Sequence, residues 1–140
     1  MLYIWKIEEI IQQTISDHQL DISWAADNQL KAPMSFNVSN NTLTFNYLEV
    51  NGFMSKAQLG IAKEEYVQLM VCHELGYYLT FKKHKHDLRT LMYGEDEEIA
   101  ELKAVIETNA WDYGRTLVPE PLKQAYDQLR EQNKQLLRGL

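Results

Sequence analysis

The chain has 140 residues, 45% of them hydrophobic, which suits one domain with a sizeable core. Its formal net charge of -6 argues against a general nucleic-acid binder or a binder of anionic membranes. A single cysteine, Cys72, excludes an internal disulfide framework and any zinc site built from several thiolates.

The opening stretch MLYIWKIEEIIQQT has no basic start and sets acids among its apolar residues, so a secretory leader is not expected. No apolar run reaches the ~20 residues that span a bilayer. A soluble protein of a reducing compartment, the cytoplasm, is the expectation. The glycosylation-type triplets NVS and NNT then read as turn-rich sequence only.

Ile4, Ile7, Ile11 and Ile15 mark one face of an amphipathic N-terminal helix. DISWA (21–25) is a short strand candidate with Ile22 and Trp24 alternating, and Pro33 interrupts after it. SFNVS and TLTFNYLEV alternate through Phe36/Val38 and Leu43/Phe45/Tyr47 around Asn40-Asn41, which predicts a hairpin because asparagine tolerates positive φ. SKAQ (55–58) spells a capping box that would start a helix running to about Lys83, with a break at Gly60. KKHKHDLRTLMYG reads as a polar loop. EDEE (95–98) places acids at a helix start, where the dipole favours them. Ile99, Leu102, Ile106, Ala110, Tyr113 and Leu117 form the apolar stripe of that helix, and VPEP ends it. A last helix carries Leu122, Tyr126, Leu129 and Leu136 on one side and stops before Gly139. The order helix, small three-stranded and mostly antiparallel sheet, two packed core helices, terminal helix is an α+β arrangement. It is expected to form a single domain over 1–140, with the core in 1–119 and the terminal helix in 120–140.

HELGY (73–77) lies in a segment apolar on nearly every side, as a central core helix would be. In the zinc-protease pattern H-E-x-x-H, two histidines one turn apart reach one Zn²⁺, and the glutamate beside the first activates the bound water. Here His73 and Glu74 are present, and Tyr77 stands where the second histidine belongs. A neutral phenol is a poor ligand, with a pKa near ~10. In the next helix Ala100, Ala104, Glu107, Ala110 and Gly114 form a small-residue stripe carrying one carboxylate. Such a stripe admits a second backbone, for which Cys72 and Gly76 leave room. A buried Glu107 needs a partner, and His73 or a metal is the obvious candidate.

These residues resemble the ImmA/IrrE family of small zinc-dependent metallopeptidases. That family has H-E-L-G-H on one core helix and E-x-x-A-x-x-[FY]-A-x-x-L-L-x-P on the next. This chain has His73-Glu74-Leu75-Gly76-Tyr77, then Glu107, Ala110, Tyr113, Gly114, Leu117 and Pro119. The likeness covers roughly residues 1–119. It implies a zincin-like fold, His73 and Glu107 as metal ligands with Tyr77 at the remaining ligand position, and Glu74 as general base. It also implies work beside a helix-turn-helix repressor, often in phages, mobile elements or stress responses. The chain departs from the pattern in three places: Tyr77, Gly114 in place of alanine, and one residue fewer before Pro119. Tyr77 weakens the expected metal site, so the expectation is weak zinc binding or none.

Two other histidines lie near the motif. His84, were the helix to continue, would share a face with His73 but sit ~16 Å along the axis. His84 and His86 suit a solvated basic helix end, and His18 is assigned no role. Two functions follow, beside the reading of an unrelated helical domain whose motif matches arise by chance. One is a non-catalytic or weakly active regulator that acts through a protein partner, such as a transcriptional repressor, by an edge strand or the terminal helix. The other is an active zinc metallopeptidase that cleaves such a repressor.

Overall fold

The structure, a computed structural model, describes residues 1–57, 59–84 and 88–138, with side chains up to residue 133. Its elements are α1 (Ile4–Asp17), β1 (Ser23–Ala26), β2 (Met34–Asn37), β3 (Thr42–Phe45), α2 (Tyr47–Lys56), α3 (Lys63–Lys83), α4 (Arg89–Tyr93), α5 (Asp96–Arg115) and α6 (Lys123–Arg138). The class is α+β. Among the described residues no helix is long and apolar enough to cross a membrane.

The expected hairpin is present: β2 and β3 pair antiparallel, and Asn41 turns with φ 49°. The pairing of β1 corrects the expectation of a mostly antiparallel sheet. β1 pairs with β3 in parallel, and the strand order is β1-β3-β2. β1 and β2 thus run as a hairpin opened by one strand's width, and β3 inserts between them. Asn46 fastens the connecting loop. Its side-chain amide donates to the carbonyls of Asn28 and Leu30, and its backbone N–H donates to Pro33.

Asn46 also ends β3 earlier than the alternation of TLTFNYLEV suggests. Its side chain accepts the Leu48 N–H and caps α2, with Glu49 in the first turn. Tyr47 is therefore helical. The proposed SKAQ cap falls at the other end of that helix: Ser55 lies inside α2 and its hydroxyl donates to the carbonyl of Gly52, while Gln58 lies outside the described residues. α3 begins instead at Lys63, where Glu65 accepts the Ala62 N–H. The break falls where Gly60 was expected to make one, at φ 69°. The polar segment after α3 also differs from a simple loop, because Arg89–Tyr93 coil into the short α4.

Asn51 of α2 ties down the N-terminus. Its Oδ1 accepts the Leu2 N–H at 2.8 Å, and its Nδ2 donates to the carbonyls of Leu2 and Tyr47. The site is buried, so Asn51→Ala strands both backbone groups of Leu2. It is expected to cost ~2 kcal/mol. Urea unfolding should show an earlier midpoint with an unchanged slope; an unmoved midpoint would mean that water replaces the amide.

α3 is the axis of the molecule. Tyr66, Val67, Met70, Val71 and Leu75 join α1, the sheet and α2 in one core cluster, around Ile7, Ile11, Leu43, Phe45 and Val50. Leu69 and Cys72 join a second cluster with Trp111, Val118, Leu122, Tyr126 and Leu129. A helix clothed on both sides must be apolar nearly all round, as its sequence is.

Candidate functional site

The site begins with a close approach of two helices. A Cβ on Gly76 would lie 1.9 Å from the carbonyl oxygen of Ala110, and one on Gly114 would lie 2.6 Å from that of Cys72. Bare backbone therefore meets bare backbone where α3 passes α5. The stripe that allows this is shorter than its sequence suggests. Ala110 and Gly114 are buried, whereas Ala100 and Ala104 are exposed.

Glu107 lies one turn before the contact, and four groups gather at its carboxyl end. His73 Nε2 comes within 3.3 Å of Oε1. The indole Nε1–H of Trp111 donates to the same oxygen at 3.0 Å. The Tyr77 hydroxyl donates to Oε2. Glu74 is near enough to raise its carboxyl pKa through the charge of Glu107. All four residues named from the motif, His73, Glu74, Tyr77 and Glu107, thus sit in one constellation. His73 also stacks on Trp111, with ring centroids 3.8 Å apart and planes at 17°. Its Nδ1 is buried with no hydrogen-bond partner among the described residues.

Trp111 belongs to the site and was not anticipated. It follows Ala110 directly, between the two stripes that the sequence displays. The available signal was its spacing: Glu107 and Trp111 are four residues apart, so on a helix they share a face. Tyr126 of α6 supports it, donating to the Trp111 carbonyl at 2.7 Å and meeting its ring edge-on.

The other candidates lie apart. The His84 imidazole Nε2 sits 2.5 Å from the Tyr113 hydroxyl, not at the cluster. His86 lies outside the described residues, and His18 ends α1. Burial pushes the Cys72 thiol up to about 12, so it stays a protonated core residue. Among the described residues no group of three or more His, Cys, Asp or Glu side chains is placed to hold a metal ion.

The constellation opens into a cleft of about 460 Å³ between the loop before β2 and helices α2, α3, α5 and α6. His73, Glu74, Glu107 and Trp111 line its polar end, and Met34, Phe53, Met70 and Leu129 are among its apolar walls.

The electrostatics separate the two carboxyls. Desolvation pushes Glu107 up, but the hydrogen bonds from His73, Tyr77 and Trp111 outweigh it and hold it below its ordinary value. Glu74 rises well above its ordinary value through desolvation and then the charge of Glu107. Burial, the bond to Glu107 and the two nearby carboxylates push the Tyr77 phenol far upward.

A pH dependence follows. In the unfolded chain both carboxyls titrate near 4.5. Folded Glu107 holds its proton less tightly, so its contribution rises with pH up to that value. Folded Glu74 holds its proton more tightly, so stability falls as pH climbs from about 4.5 through its folded pKa. Glu74→Gln is expected to remove that decline. Urea midpoints over a pH series check it; parallel curves for the two proteins above pH ~5 would contradict the assignment.

No protein-family model matches the chain, and no curated protein matches it in sequence.

Proposed function

We propose that this chain has a zincin-like, ImmA/IrrE-type scaffold, does not hold zinc tightly, and acts as a regulator by binding a protein partner such as a transcriptional repressor. The observation that carries this reading is the hydrogen bond from Tyr77 to Glu107, made where the family's motif has its second histidine. A phenol ligates a metal as the phenolate. In this pocket burial and two neighbouring carboxylates keep the proton on Tyr77.

Two further features support the reading. A metal-ligating histidine normally hands its other ring N–H to an acceptor, and Nδ1 of His73 has none among the described residues. Glu107 is already engaged by two donors and the His73 ring. As arranged, these residues do not fit a zinc ion, and no hydrolytic step is assigned to Glu74.

The test is metal analysis of protein purified without added zinc and then dialysed. The expected result is far less than one zinc per chain. Stoichiometric zinc that survives dialysis would overturn the reading. It would favour an active peptidase, with Glu74 as base and Tyr77 or a loop histidine among the ligands.

A further inference from the structure

We propose that the cleft takes a basic side chain of the partner protein, an ammonium or guanidinium head on an apolar stem. This rests on the preceding reading, that the site binds a partner without zinc.

The cleft has the size and make-up of a binding site. Its volume of about 460 Å³ lies within the ~300–1,000 Å³ typical of ligand pockets. Pro33, Met34, Phe53, Met70 and Leu129 offer apolar wall, which suits the methylene stem of a long side chain.

The polar end selects the head group. Glu107 accepts from Tyr77 at one oxygen and from Trp111 at the other, where His73 also approaches. A carboxylate offers about four acceptor positions, so one remains. The Glu107 side chain is 39% exposed, and it lines the cleft. Glu74 lines the same cleft, and among the described residues its carboxyl has no hydrogen-bond or ion-pair partner. Among the described residues lining the cleft there is no lysine or arginine, and the His73 ring that faces Glu107 is the one basic group.

The guest is then decided by elimination on physical grounds. A wholly apolar group would strip water from both carboxyls and give nothing in return. An anion would meet Glu107 and a chain of net charge -6. A cation on an apolar stem satisfies the carboxyls and covers the walls together.

The test uses the full chain, labelled with ¹⁵N and held in EDTA. The Trp111 indole N–H cross-peak is identified by elimination with Trp5→Phe and Trp24→Phe. End-blocked alanine pentapeptides with a central lysine, arginine, norleucine or glutamate are then titrated in. The expected result is a saturable shift with the basic peptides, binding at least about tenfold weaker with norleucine, and no shift with glutamate. Glu107→Gln should weaken the basic peptides by a similar factor, and its melting curve shows that it is folded.

No saturable shift from the basic peptides, equal binding of norleucine, or full binding by folded Glu107→Gln would each overturn the inference. None of these touches the zinc-free reading. Basic peptides that bind only when zinc replaces EDTA would overturn both.

Discussion

Replacing Tyr77 by histidine is expected to raise zinc affinity by at least about 100-fold. The substitution acts twice. It removes the hydroxyl that donates to Glu107 Oε2, freeing that oxygen as a ligand. It also places a second imidazole one turn beyond His73, the spacing that lets two rings reach one ion. His73, the new ring and Glu107 then supply two nitrogens and a carboxylate, with a fourth position left for water. Zinc titration of the two proteins side by side, against a competing chelator, measures the gain. Glu107→Ala in the Tyr77→His background should abolish most of it. If Tyr77→His gains nothing, or if removing Glu107 changes nothing, the proposed zincin-like scaffold is wrong. Peptide hydrolysis is a separate matter, since it also requires a groove shaped for a substrate.

Gly76→Ala is expected to be the most damaging small substitution in the protein. The added methyl would lie 1.9 Å from the Ala110 carbonyl oxygen and 3.0 Å from the Gly114 nitrogen. Both neighbours are backbone inside α5, so neither can swing aside, and the two helices must part. Overpacking of this kind costs ~3 kcal/mol or more. For a chain of this size that is a fall of roughly 10 °C in melting temperature. Gly52→Ala is the control. It also sits in a helix, but nothing lies within 4 Å of its added Cβ. There the better helix former should stabilise by ~0.5–1 kcal/mol. Equal effects at the two glycines would mean that the crossing is looser than its distances imply.

Much of this architecture was legible where periodicity is long. α1 and α5 each repeat an apolar face over several turns, and their extents follow from it; α3 is apolar nearly all round, and its end near Lys83 was legible where its start was not. The convergence of His73 with Glu107 was legible too, because a small-residue stripe beside HELG leaves few ways to pack two helices. Short elements were less readable. Alternation through Leu43, Phe45 and Tyr47 suits a strand, yet Asn46 caps a helix there, and one hydrogen bond from Leu48 decides it. The parallel pairing of β1 depends on the loop that Asn46 holds to Asn28 and Leu30, contacts distant in sequence. Trp111 was missed because an aromatic one residue off a stripe looks like a packing residue. Only the carboxylate and imidazole brought against it make it part of the site.

The bare-backbone crossing at Gly76 and Gly114 has a genetic consequence. Tyr77 adds its hydroxyl bond to Glu107 beside this crossing, while the close approach itself is made by Gly76 and Gly114. Tyrosine and histidine codons differ by a single base. A histidine at position 77 therefore lies one point mutation from the present gene, with His73 and Glu107 already facing each other.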